Sequence, residues 1–340
     1  MPRLSYRNRI LLKKWLRIGL IILVALLICA ILLLIYLEPY MVYDREGAHL
    51  VMEEEIPVET QGAAETRPVI TDPKIVYGNT IVKETNLAGM ENYYITTDML
   101  QDAEKVLNAV KELEGPSAIM VQMKSSYGNF YYDTQIKGVS IADVDTETIS
   151  KIISYLDKGN FYLIAEIPAF NDSSYALSHN SCGLPMDGGI LWADENYHYW
   201  LDPSDTAVLN YLKEIGQELY SMGFDEIAFS DFWIPNDEDI HYGTEMTPAE
   251  ILAASAKQVT EIYTEAGMIA SFVSSDLSFP ISDCTGRLYI PELSGAEVEP
   301  YVQAFSSAKN LKEIVFLSGS KDSRFESKAV MRPLLAESES

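Results

Sequence analysis

Gly223-Phe224-Asp225-Glu226-Ile227-Ala228-Phe229-Ser230-Asp231-Phe232-Trp233-Ile234-Pro235 reads as a short strand that runs into a polar, aromatic loop. Side chains along a strand alternate between two faces, so Ile227 and Phe229 share one face while Glu226, Ala228 and Ser230 share the other. The apolar pair is expected to point outward, against covering helices. A helical pattern from Ser204 to Met222 precedes the strand, and another from Thr247 to Ala266 follows the loop. Helix, strand and then a loop rich in functional groups is the repeating unit of an α/β barrel.

The same unit recurs in both directions from this stretch. Expected strands are Asn92 to Thr96, Ala118 to Lys124, Phe161 to Ile167, Glu226 to Ser230, Ile269 to Ser274, Arg287 to Ile290 and Glu313 to Leu317, with Lys328 to Leu335 as an eighth. Helical patterns lie between them at Asp98 to Glu114, Asp145 to Lys158, Ser204 to Met222, Thr247 to Ala266 and Glu297 to Ala308, several opening on cap residues such as Asp98, Asp205 and Thr247-Pro248. The expected fold is therefore a (β/α)8 TIM barrel over residues 74–335, followed by a short tail at 336–340. A hairpin over Ile75 to Val82, turning at Gly78-Asn79, is expected to lead into or plug it. No Gly-x-Gly-x-x-Gly follows any strand, so neither a dinucleotide fold nor a cofactor is expected.

Barrels of this kind carry chemistry on the loops at the C-terminal ends of their strands. Those positions hold Lys124, Ser125, Ser126 and Tyr127 after the second strand and Glu166 at the end of the third. Asp172, His179, Asp187, Trp192, Asp194, His198, Trp200 and Asp202 follow Glu166. Asp231, Trp233, Asp237, Glu238, Asp239 and His241 come after the fourth strand, Asp276 after the fifth and Glu292 after the sixth. Paired carboxylates in a cleft are the equipment of glycoside hydrolysis, one as acid and one as base or nucleophile. Glu166, Asp231 and Glu226 are the candidate catalytic groups. Glu226 lies deeper toward the barrel floor, where pairing with Lys124 is its expected structural role. Asp231 shares parity with Phe229, so it faces the cleft only if the strand bends there. Lys124, Asp172, Trp192, Trp200 and Trp233 are the candidate substrate contacts; indole faces suit the C–H faces of sugar rings, and long loops equally need small aromatic clusters of their own. His179, His198 and His241 show no metal-ligand spacing, so no metal site is expected.

Composition sets the context. The chain has 340 residues, 48% of them apolar, with 25 Lys and Arg against 50 Asp and Glu and a formal charge of -25. Residues 1–17 carry Arg3, Arg7, Arg9, Lys13, Lys14 and Arg17 without an acid, which leaves the rest at 19 basic against 50 acidic and a net charge of -31. So acidic a body repels nucleic acid and anionic lipid, and favours a neutral or cationic partner. Ile18 to Leu37 is free of charge and long enough to cross a hydrocarbon core of ~30 Å. With its basic flank it reads as an uncleaved anchor that keeps residues 1–17 in the cytoplasm and places the acidic body outside. Residues 38–73, with Glu53-Glu54-Glu55, read as an extracytoplasmic linker. Cys29 falls in the apolar run, and Cys182 and Cys284 are expected to be free thiols rather than a pair.

The residues also carry a family resemblance. Gly223-Phe224-Asp225-Glu226-Ile227 with Phe229 and Pro235, Phe170-Asn171-Asp172, Trp192, Trp200-Leu201-Asp202-Pro203, and Lys124 with Gly128 together resemble the family named "putative glycosyl hydrolase domain", bacterial TIM-barrel proteins that are often membrane-anchored. The resemblance implies a barrel and a glycan substrate. It departs where chemistry is expected: Ser230 stands for the family's Asp, Asp231 for its Tyr, Trp233 for its Arg, Gln122 for the Asp of its V-I-D segment, and Glu166 for the Arg ending its third strand. Two readings follow. One is a hydrolase of cell-wall or environmental polysaccharide in which Asp231 and Glu166 have taken over the chemistry. The other is an inactive barrel that binds glycan or a partner protein through the aromatic rim.

Overall fold

Alternation along the strands, more than helix propensity, determines how this chain folds. A computed structural model of the chain describes residues 41–44, 47–50, 85–113, 117–277, 279, 286–291, 295–306, 308 and 311–335. Two compact units are present, Met1–Lys74 and Ile75–Ser340. In the first, within the stretch expected to be a plain linker, Met41–Asp44 and Gly47–Leu50 pair as an antiparallel hairpin. The anchor at 18–37 and the hairpin expected at Ile75 to Val82 lie outside the described residues, as do Glu292, Cys29 and Cys284. Among the described residues no helix is long and apolar enough to cross a membrane.

In the second unit eight parallel strands close into a barrel: β1 (Asn92–Ile95), β2 (Ala118–Gln122), β3 (Tyr162–Pro168), β4 (Glu226–Ser230), β5 (Ile269–Val273), β6 (Arg287–Ile290), β7 (Glu313–Leu317) and β8 (Ala329–Pro333). Each pairs with its neighbours in sequence, and β8 pairs with β1 to close the ring. The helices are α1 (Ala103–Lys111), α2 (Thr146–Lys158), α3 (Ser173–Ser178, a short turn in the loop after β3), α4 (Thr206–Ser221), α5 (Pro248–Glu265) and α6 (Val298–Phe305). Between β7 and β8 the described residues form only the short 3-10 turn Ser323–Phe325.

The expected parity holds. Ile227 and Phe229 of β4 join Ile119, Val121, Leu163, Ile167, Leu288 and Phe316 in the outer core beneath the helices, all fully buried. Ala228 joins Met120, Ile164, Tyr289, Val315 and Met331 inside the ring. Each buried Ile, Leu or Phe contributes about 1.5–3 kcal/mol relative to exposure, so the two-layer pattern is the main source of stability. Asp145, Asp205 and Thr247 cap α2, α4 and α5, the last as a capping box with Glu250 and with Pro248 in the first turn. At Asp98 the chain instead begins a 3-10 turn, Met99–Asp102, and the α-helix starts only after Asp102, which accepts from the Lys105 amide. A Pro-free, short entry of this kind satisfies the orphan amides locally.

The floor of the barrel corrects one expectation. Glu226 does not pair with Lys124. It is fully buried at the start of β4 and takes the Arg287 guanidinium, the Tyr162 hydroxyl at 2.8 Å and the Tyr289 hydroxyl at 2.8 Å. The physical reason is depth: Arg287 and Tyr162 begin their strands as Glu226 does, whereas Lys124 lies beyond the end of β2. Arg287 reaches further, to Glu313 at 3.2 Å and to the Thr85 carbonyl. Glu313 in turn accepts the amides of Leu87 and Ala88 at 3.2 and 3.1 Å. Leu87, fully buried among the inward side chains, plugs the barrel from below.

Candidate active site at the barrel mouth

At the opposite end the strands finish in polar groups. The register sets Gln122, Glu166 and Ala228 side by side, and Pro168 beside Ser230. Gln122 accepts the Thr97 amide on Oε1 at 2.9 Å, which turns its NH2 to donate to Glu166 Oε2 at 3.0 Å. Glu166 is 8% exposed. Burial drives its pKa up to about 7; hydrogen bonds from Gln122 and Ser230 hold it back, and the nearby charge of Asp231 raises it further. A carboxyl that changes protonation near neutrality is equipped to act as a general acid.

Asp231 meets the condition that its parity imposed. Its φ is +47°, a left-handed backbone that few non-glycine residues adopt, and this bend carries the side chain off the outward face of β4. Its carboxyl interacts with Ser126 and Asn171 and feels Glu166 across the mouth. Burial raises its pKa, while Ser126, Asn171, Lys124 and His198 pull it back. The two carboxylates therefore end adjacent strands and face one mouth. Among their neighbours Asn171 is notable: it is 6% exposed, and its Oδ1 has no hydrogen-bond partner.

Lys124 and Asp172, expected to touch substrate, are spent on each other. Both side chains are fully buried in an ion pair of 2.9 Å. Lys124 also donates to the Pro168 carbonyl at 2.7 Å, and Asp172 accepts the Tyr211 hydroxyl at 2.6 Å and the Tyr175 amide at 2.8 Å, capping α3. Gly128, with φ +97°, lies so close that a Cβ there would overlap the Asp172 carboxylate. Lys124, Gly128 and Asp172, far apart in sequence, thus form one joint that ties the loop after β2 to the loop after β3.

The aromatic residues divide likewise. Trp200 is 2% exposed, its Nε1 donating to Asp194 at 3.1 Å, so it is a strut rather than an open platform. Trp233, 45% exposed, stands edge-on against it at 4.4 Å between ring centroids. Trp192 is half-buried and donates to Asp237 at 2.8 Å. Tyr127 is exposed and meets His198 edge-on at 5.9 Å. The loops after β3 and β4 are zipped by a bridge between Met186 and Ile240 and by His241 against Asp187 at 3.0 Å. His179 instead stacks on Tyr175 at 4.1 Å. The three histidines stand in separate surroundings, and among the described residues no cluster of His, Cys, Asp and Glu could hold a metal ion. Cys182 is a buried free thiol.

Two contributors escape a reading of the sequence. Tyr211 lies on α4 in a purely apolar pattern, with no signal that its hydroxyl reaches Asp172. Arg287 carries a signal that was available: a charged residue with the inward parity of Tyr289 requires a buried counter-charge.

The family model described as "Putative glycosyl hydrolase domain" matches residues 92–277, more than half of the chain. The chain belongs to this family. The matched stretch runs from β1 to the residues just after β5 and contains Lys124, Glu166, Asp172, Trp192, Trp200, Glu226, Asp231 and Trp233. Among solved structures, an uncharacterised Listeria monocytogenes protein shares the barrel fold, with a TM-score of 0.55 at 9% identity, over 77% of this chain and 30% of that one. A hypothetical protein of Ruminiclostridium thermocellum aligns at 21% identity and a TM-score of 0.45, over 53% of this chain and 96% of its own. The Flavobacterium johnsoniae chitobiase aligns at 13% and 0.44, over 68% of this chain and 38% of its own. No curated protein matches.

Proposed function

We propose that this glycosyl hydrolase domain is a working glycoside hydrolase, held outside the cell by the apolar run at 18–37 and acting on cell-wall or environmental polysaccharide. The observation that carries the reading is the pairing of Glu166, with its pKa near 7, and Asp231, turned into the same mouth by its left-handed backbone. Glu166 donates its proton to the departing glycosidic oxygen. Asp231, held by Ser126 and Asn171, serves as the base or nucleophile on the other side of the sugar. Gln122 orients Glu166 without charging it, and exposed Trp233 and Tyr127 offer ring faces along the rim. The basic flank and the twenty uncharged residues from Ile18 to Leu37 support the anchored placement.

The test is release of reducing ends from a panel of wall and soluble glycans by the full chain in detergent. Asp231→Asn and Glu166→Gln are each expected to lower turnover by about 10²–10⁴-fold, the range for loss of one acid–base group. Undiminished turnover in Asp231→Asn removes that residue from the mechanism. Gln122, Glu166 and Ser230, which stand for the family's Asp, Arg and Asp, favour a second reading, an inactive glycan-binding barrel. Glycan binding without turnover in the unaltered chain would establish it.

A further inference from the structure

The long loop after β3 contains a tight arm in which Ala193 pairs with Tyr199. The arm turns through Glu195, Asn196 and Tyr197 and is closed by the Asp194 amide, which donates to the His198 carbonyl at 2.9 Å. The Asp194 carboxylate fixes this turn from within. Its Oδ1 accepts the amides of Asn196 and His198, each at 2.9 Å, and its Oδ2 accepts the Trp200 indole at 3.1 Å. A hairpin loop of three residues commonly places glycine at its left-handed position. Here that position is Tyr197, with φ +62°.

Nothing inside the molecule asks for a tyrosine there. The side chain is 84% exposed, and among the described residues its hydroxyl has no hydrogen-bond partner and its ring meets no other ring. A left-handed backbone is costly for an L residue, and such positions gather where ligands are held. The arm also links the two other exposed rings of the mouth. His198 meets Tyr127 edge-on at 5.9 Å, while Trp200 meets Trp233 edge-on at 4.4 Å and pairs with Asn171 just past β3. Tyr197 lies three residues from Trp200, at most about 10 Å along an extended chain. Its chain neighbours Glu195 and Asn196 are exposed and polar, unlike the charge-depleted centre of a protein interface. A lone ring beside polar groups suits a sugar, whose C–H face lies on the ring while its hydroxyls meet the neighbours. The net charge of -25 disfavours an anionic polymer.

We propose that Tyr197 is an outer binding subsite of this mouth, a platform on which one ring of a long, uncharged polysaccharide stacks beyond the sugars held between Glu166 and Asp231. The proposal rests on the glycan-processing reading above and makes the substrate a polymer rather than a short oligosaccharide.

The test is binding of the full chain in detergent to chito-, xylo- and cello-oligosaccharides of increasing length, with polygalacturonate as the anionic comparison. Affinity is expected to rise with length for at least one uncharged series and to be weaker for polygalacturonate. Tyr197→Gly keeps the contacts of the turn, which run to backbone amides, the Asp194 carboxylate and the Trp200 indole, and gives φ +62° the residue it favours. It should weaken binding of the longest chains about 3–10-fold, the range of one aromatic contact, and flatten the dependence on length. Its melting temperature should stay level or rise by about 2–4 °C. Tyr197→Phe should retain the length dependence. A lower melting temperature for Tyr197→Gly would make the ring part of the fold and overturn the proposal. So would equal affinity for short and long chains, unchanged long-chain affinity in Tyr197→Gly, tighter binding of polygalacturonate, no binding of any series, or Tyr197-dependent capture of a protein with glycan binding unaltered. Turnover without length dependence sinks the subsite and leaves the hydrolase reading standing. Binding that depends on both length and Tyr197, without turnover, does the reverse.

Discussion

Glu166 gives the protein a measurable pH signature apart from activity. Its folded pKa of about 7 lies above the ordinary carboxyl value near 4.3, so the folded state retains the proton that the unfolded chain gives up. Its contribution to stability is complete below about pH 4 and is lost as pH rises through about 7. The total is about 4 kcal/mol at 1.36 kcal/mol per unit. Glu166→Gln should therefore be close to wild type in stability at pH 4 and more stable at pH 8. Denaturant unfolding at the two pH values checks this, and parallel curves for the two proteins would contradict the burial assigned to Glu166. Under the general-acid role proposed for Glu166, the same proton predicts an alkaline limb in kcat near pH 7. Asp231 was only half legible in the sequence. Its identity and depth could be read, but its direction depends on one backbone dihedral that no periodicity encodes.

At the scale of elements, the mouth is held by the joint of Lys124, Gly128 and Asp172. Gly128→Ala places a Cβ against the Asp172 carboxylate at a φ that L side chains rarely adopt. A loss of about 2 kcal/mol is expected from the strain and the displaced ion pair, read as a lower urea midpoint at unchanged slope. A midpoint equal to that of wild type would mean that the loops after β2 and β3 are not coupled there. The strands and most of the helices were readable because alternation, caps and helical period agree, as they do at Thr247-Pro248 ahead of α5. What could not be read was which aromatic residues face outward. Trp200 and Trp233 have similar surroundings in sequence, and only the bridge of Trp200 to Asn171 sends one ring into the core and leaves the other exposed.

Across the whole molecule, the barrel has a charged floor and a charged mouth separated by an apolar waist of Met120, Ile164, Ala228, Val315 and Met331. Arg287→Met leaves Glu226 buried with only two tyrosine hydroxyls, a change expected to cost about 3–5 kcal/mol. Arg287→Met combined with Glu226→Gln should recover part of that. Thermal unfolding of the two variants decides it, and equal melting temperatures would show that the buried charge of Glu226 is not what the arginine offsets. The floor also governs how force passes through the molecule. Because Thr85 and Leu87 are fastened beneath the ring, traction on the chain from its N-terminal side is taken up by Arg287 and Glu313 at the foot of the strands. The geometry of the two mouth carboxylates is thereby shielded from strain that enters along the chain from Thr85.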